Sequence, residues 1–125
     1  MKKTPLLGLR SSICKVPDLH KAKEWYQNAL DTKPYFDEIF YVGFNVGGFE
    51  LGLDPSGYDA AQIKSNSTAY WGVEDIEKVY DALIKSGATL VQSPQEVGGD
   101  IVIAIVADPW GNHIGLIYNP HFKAQ

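Results

Sequence analysis

Two side chains in this sequence are suited to moving a proton or holding a ligand. Glu50, in "GGFELGL" (47–53), is a carboxylate among apolar neighbours. That placement suits a general base or an anchor for a hydrogen-bond donor, and it equally suits a rim carboxylate paired with a Lys or Arg. His113, in "VADPWGNHIGLIYNP" (106–120), can act as acid or base near neutral pH, or can be a half-exposed strand histidine beside a turn. No nucleophile pattern is present: there is no G-x-S-x-G and no C-x-x-C, and the lone Cys14 is expected to pack in the core. The glycines of "NVGGFELG" lack the following helix that phosphate binding needs and are expected to form a hairpin. Trp25 and Trp71 are expected as core aromatics, and Trp110, in a turn, as a subunit contact or lid. Arg10, His20 and His121 are expected at the surface.

These residues need elements to position them. "LRSSICKV" (9–16) has strand character and stops at Pro17. Asp18 is a good N-cap for a helix carrying Leu19, Ala22, Trp25, Tyr26, Ala29 and Leu30 at helical spacing, ended by Pro34. "IFYVGFNV" (39–46) and "FELGL" (49–53) are expected as strands about a Gly47-Gly48 turn. After a polar connector, "TAYWGV" (68–73) is expected as a strand. Asp75 caps a second helix with Ile76, Val79, Tyr80, Leu83 and Ile84 on its apolar face and Gly87 at its end. "TLVQS" (89–93) is expected as a short strand. "DIVIAIVA" (100–107) and "HIGLIY" (113–118) are expected to form a hairpin, with Pro109 and Gly111 at the second and fourth turn positions.

The order of elements occurs twice. "KVPDLHKA" matches "GVEDIEKV" in type, and "GGFELGL" matches "GNHIGLI", so the chain consists of two copies of one strand–helix–strands unit. One copy has a single helix and a half-covered sheet, too little to close a core. The pseudo-repeat modules span about 6–54 and 67–120, with a connector at 55–66, in one domain covering 1–125. Eleven basic against fifteen acidic residues give a net charge of −4, which argues against nucleic acid or an anionic membrane as partner. The single cysteine and the lack of a signal peptide or a membrane-spanning run lead to an expected cytoplasmic location.

The V-x-D-L/I segments before both helices, together with "DPWGN" and the short apolar strand after it, resemble the vicinal oxygen chelate superfamily. That group includes glyoxalase I, extradiol dioxygenases and the fosfomycin- and bleomycin-resistance proteins. The resemblance covers about residues 6–120. It implies an α+β fold of two βαβββ modules whose curved mixed sheets form a cup, and a homodimer. In metal-dependent members the first and last strands of each module supply His or Glu ligands to one divalent ion. Counted from the V-x-D and D-P-x-G-N landmarks, the corresponding positions here are Ser11, Glu50, Thr68 and Gly115, of which only Glu50 is a metal ligand type. His113 lies two residues before Gly115 on the same face, about 6–7 Å farther along the strand. The expectation is a cup without metal or other cofactor.

Strand alternation assigns Leu9, Ser11 and Ile13, Thr68 and Tyr70, Glu50 and Gly52, and His113, Gly115 and Ile117 to the cup face. Tyr41, Ile103 and Ile105 join them from the middle strands, and Gly52 and Gly115 are expected to enlarge the space. Such a lining suits a small organic molecule. The first functional expectation is sequestration of such a molecule, as the resemblance to bleomycin-resistance proteins implies, with Tyr41, Tyr70 and Trp110 stacking on it and Glu50 holding a cationic or donor group. The alternative is a glyoxalase-like lyase, isomerase or epimerase in which Glu50 is the base and His113 or Tyr70 polarises a carbonyl, with or without a divalent metal. A third is a regulatory or interaction module lacking a usable pocket.

Overall fold

The computed structural model describes Pro5, residues 7–62 and residues 68–122. The first helix begins where the sequence places its cap. Asp18 lies in extended backbone and its carboxylate accepts from the Lys21 N–H at 3.1 Å, starting α1 (Leu19–Leu30). Asp31, at φ 50°, ends the helix before Pro34 is reached. Asp75 repeats the capping, accepting from the Lys78 N–H at 3.2 Å, for α2 (Ile76–Lys85), and Gly87 follows that helix with φ +108°.

Before and after each helix lie the strands of a module. The first has β1 (Ser11–Lys15), then β2 (Phe36–Glu38), β3 (Tyr41–Val46) and β4 (Phe49–Asp54). The second has β5 (Tyr70–Gly72), then β6 (Thr89–Gly98), β7 (Ile101–Ala107) and β8 (His113–Tyr118). The sheets have the orders β1-β4-β3-β2 and β5-β8-β7-β6, each with one parallel pair joining the first and last strands. This is the expected βαβββ duplication, present as two separate four-stranded mixed sheets. Two elements differ from expectation. β2 is an additional short strand, and β6 runs ten residues rather than stopping at Ser93, its ladder to β7 broken by several register shifts. Of the connector, residues 60–62 form a short 3-10 turn, and residues 63–66 lie outside the described residues.

One face of each sheet packs under its helix. Cys14, Val16, Val42, Phe44, Leu51 and Leu53 from the first module are buried, as are Ala104, Val106, Ile114 and Leu116 from the second. Burial pushes the Cys14 thiol up to about 11, so at neutral pH it is a small protonated core residue and no nucleophile. The modules are joined on the helix side. Tyr26 of α1 donates its hydroxyl to Asp108 at 2.7 Å, the Asn112 side-chain amide donates to the Lys15 carbonyl at 2.8 Å, and the Trp25 indole donates to the Ser86 carbonyl at 2.8 Å. Trp110 packs edge-on to Trp25 at 6.1 Å and against the core. That corrects its expected place as a lid or ligand stacker: its ring is part of the seam between the modules.

Candidate functional site

The opposite face of each sheet is the candidate site. On β1, Ser11 and Ile13 are exposed while Cys14 is buried, as the alternation requires. Ile13 is 54% exposed and Tyr70 is 40% exposed, so large apolar groups on this face meet solvent in the single chain. Ile103, Ile105 and Ile117 are half-buried on the face opposite Ala104, Val106 and Leu116.

Glu50 is at the centre of the first module's half. β1 and β4 place Ser11 and Glu50 level with each other, and the Ser11 hydroxyl donates to Glu50 Oε1 at 2.7 Å. Tyr41, at the start of β3, reaches across Gly52 and donates to the same oxygen at 2.7 Å. Tyr35, whose backbone N–H bonds to the Gly43 carbonyl just before β2, donates its hydroxyl to Oε2. Three hydroxyls from three segments therefore converge on one carboxylate. Partial burial raises the Glu50 pKa, but the hydrogen bonds from Tyr35, Tyr41 and Ser11 together outweigh it, and the carboxyl sits below its ordinary value. Burial and then the hydrogen bond to Glu50 raise the Tyr41 phenol, and Tyr35's own hydrogen bond to Glu50 raises its phenol, so both tyrosines keep their protons while Glu50 gives its proton up. Among the described residues no Lys or Arg forms an ion pair with Glu50.

Of this cluster Tyr41 was expected on the cup face, whereas Tyr35 and Phe36 were not found by sequence reasoning. Phe36 is level with Gly43 on the cup face, with ring centroids 6.5 Å from Tyr35 and 6.1 Å from both Phe40 and Tyr41. The only signal was the pair "YF" just after Pro34, without the alternation that marks a strand.

The second module's half requires a correction of register. Val16 donates to the Asp54 carbonyl at 3.1 Å, and Val73 donates to the Ile117 carbonyl at 2.9 Å. Each valine lies two residues before its N-cap aspartate, so Asp54 and Ile117 are counterparts. Counting back along β4 and β8, Gly52 corresponds to Gly115 and Glu50 to His113. The D-P-x-G-N landmark had made Gly115 the partner of Glu50. The pairing of β5 with β8 shifts that correspondence by two residues and removes the expected 6–7 Å displacement of His113. Continuing the Tyr70–Gly115 register two residues back brings Thr68 level with His113, as Ser11 is with Glu50. His113 is exposed, and among the described residues no hydrogen bond engages its ring.

The two glycines also differ from expectation. A Cβ on Gly115 would lie 2.6 Å from the Ala69 carbonyl oxygen and 2.8 Å from the Tyr70 ring, and one on Gly52 would collide with the Tyr41 hydroxyl. Each glycine makes room for a protein neighbour rather than for a ligand.

The four levelled positions thus supply one carboxylate, one imidazole and two hydroxyls. The carboxylate already accepts three hydroxyl protons, and serine and threonine are poor ligands for zinc or iron. No group of three or more His, Cys, Asp or Glu suited to a metal occurs among the described residues. This donor set does not fit the tightly held divalent ion of the metal-dependent members.

A family model described as Glyoxalase/Bleomycin resistance protein/Dioxygenase superfamily matches residues 14–116. The chain belongs to that superfamily. Solved structures with the superfamily fold align along nearly the whole chain. One is a glyoxalase-related enzyme from Fulvimarina pelagi, at 15% identity and TM-score 0.78, covering 96% of this chain and 94% of that one. A superfamily member from Sphaerobacter thermophilus gives 22% identity and TM-score 0.69, covering 91% and 98%. The lactoylglutathione lyase from Agrobacterium tumefaciens gives 15% identity and TM-score 0.70, covering 95% and 100%. At these identities the superfamily likeness concerns the fold. No curated protein matches the sequence. Among the described residues, no helix is long and apolar enough to cross a membrane.

Proposed function

We propose that this superfamily member binds a small organic molecule on the faces of its two sheets opposite the helices, with Glu50 as a fixed anchor. The observation that carries this reading is the convergence of Ser11, Tyr35 and Tyr41 on the Glu50 carboxylate. A general base works best with a pKa near the operating pH, which requires a raised carboxyl value. Glu50 is held below its ordinary value by groups that stabilise its charge, which favours anchoring over proton abstraction. Ile13, Tyr41, Tyr70, Ile103 and Ile117 supply the apolar and aromatic wall, with Thr68, His113 and Gly115 along its second half. Leu9, Ile13, Tyr35, Phe36 and Tyr70 are exposed in the single chain, and a second copy closing over the bound molecule would shield them, so the reading includes a homodimer.

Isoleucine-methyl NMR tests the reading, because the isoleucines divide between the two sides of the sheets. Ligands picked from a panel of small organic molecules by thermal shift should perturb Ile13, Ile103, Ile105 and Ile117. Ile76 of α2 and Ile114 beneath the second sheet should be unaffected. A panel without a single ligand, or ligands that perturb only Ile76 and Ile114, would overturn the proposal. Turnover of a ligand that is lost in Glu50→Gln, with affinity kept within a few-fold, would replace anchoring by the lyase or isomerase reading.

A further inference from the structure

We infer that the Glu50 cluster recognises a cationic group that can only donate hydrogen bonds, a primary ammonium or a guanidinium, carried by an organic ligand with a flat apolar body. The inference rests on the cup-binding reading and specifies the class of ligand.

An ionised carboxylate has only acceptor sites, about four lone pairs on two oxygens. Ser11 and Tyr41 each lie 2.7 Å from Oε1, and Tyr35 is bonded to Oε2, so all three hydroxyls must point their single protons at Glu50. Each hydroxyl then has only lone pairs left to present to a ligand, and the carboxylate keeps about one free site. The whole cluster therefore accepts and donates nothing.

Charge points the same way. Among the described residues the nearby basic groups are engaged elsewhere: Lys15 pairs with Asp54 at 2.8 Å, and Arg10 donates to the Leu7 carbonyl at 3.1 Å. Among the described residues, Glu50 is thus an anion stabilised by hydroxyl dipoles with no basic side chain bonded to it. A ligand carboxylate, phosphate or carbonyl would meet oxygen lone pairs and no donor. An ammonium brings three donors and a guanidinium five, along with a positive charge. Tyr35 and Tyr41 bring their rings to the carboxylate, and Phe36 lies 6.5 Å and 6.1 Å from them, centroid to centroid, so an aromatic or alkyl body can pack there and a cation gains from the ring quadrupole.

Three probes of similar size and different polarity test this on the 125-residue chain: 2-phenylethylammonium, 2-phenylethanol and phenylacetate, titrated at pH 7 and low salt. Affinity is read by calorimetry and position by the Ile13 methyl signal. The ammonium should bind at least about tenfold more tightly than the alcohol, the scale of one charge-assisted hydrogen bond. Phenylacetate should bind most weakly, and Glu50→Gln, which adds an N–H donor and removes the charge, should abolish the preference for the ammonium. Equal affinities for ammonium and alcohol, tighter binding of phenylacetate, a preference unchanged in Glu50→Gln, or no binding of the ammonium at millimolar concentration would each overturn the inference. Alcohol binding at Ile13 without charge preference would leave the cup-binding reading standing. Its own failure is separate: a broad panel without a ligand at the cup-face isoleucines.

Discussion

Asp108→Ala is expected to lower stability by about 3–5 kcal/mol, measured as a shift in the urea midpoint at unchanged slope. Asp108 is 2% exposed and is bonded by four donors. Its Oδ1 accepts from the backbone N–H of Trp110 at 2.9 Å and of Asn112 at 2.8 Å, and its Oδ2 accepts from the Asn112 amide at 3.0 Å and the Tyr26 hydroxyl at 2.7 Å. Alanine would strand the Tyr26 hydroxyl, whose residue is fully buried, together with two backbone donors. It would also release the turn that carries Asn112 to the Lys15 carbonyl and so joins the modules. Asp108→Asn should cost less, because the amide oxygen can keep both backbone donors. Tyr26→Phe removes one donor and should make the cost of Asp108→Ala smaller in the double variant, since the two share one interaction. A cost for Asp108→Ala within about 0.5 kcal/mol, the range of an ordinary surface change, would contradict this role.

Gly115→Ala is expected to destabilise by about 1–3 kcal/mol, as overpacking does where the neighbour cannot yield. The added methyl would meet the Ala69 carbonyl oxygen at 2.6 Å, and that backbone is held by the hydrogen bond Gly115 itself makes to the same oxygen at 3.1 Å. The Tyr70 ring at 2.8 Å and the Thr68 methyl at 3.0 Å close the other directions. Gly72→Ala is the control, because a Cβ there meets nothing within 4 Å. Melting temperatures of the two variants side by side are the measurement. Equal and negligible losses would show that Gly115 faces open space, as the sequence had suggested.

Local chemistry explains which features were legible from the residues. The N-caps Asp18 and Asp75 act within three positions of themselves. The 108–111 turn is closed by its own Gly111 N–H to Asp108 carbonyl bond at 3.1 Å. β7 alternates cleanly between the helix side and the cup side, so Ile103 and Ile105 were assignable. β6 was legible only in part, because it is an edge strand carrying Pro94 and several bulges, with Leu90, Val91 and Val97 exposed, so no period of two survives. β2 has three exposed residues and no buried face to write a pattern. The remaining gaps are tertiary. Tyr35 is tied to Glu50, Asp108 to Tyr26 and Gly115 to Ala69 by contacts across the fold, and no spacing along the chain encodes them. The counterpart of Glu50 depended on how β8 pairs with β5, which the turn motif alone does not determine.

Glu50 held as a charged anchor, with its acidity increased by three hydroxyls, is the claim on which the functional reading stands. A 13C NMR titration of the Glu50 side-chain carboxyl in the ligand-free protein measures it directly. The carboxyl should titrate below the ordinary glutamate value of 4.5, and the midpoint should rise when the Tyr35 or Tyr41 hydroxyl is removed by phenylalanine. A midpoint of about 6–7, the range of a poised general base, would contradict the anchor and favour catalysis.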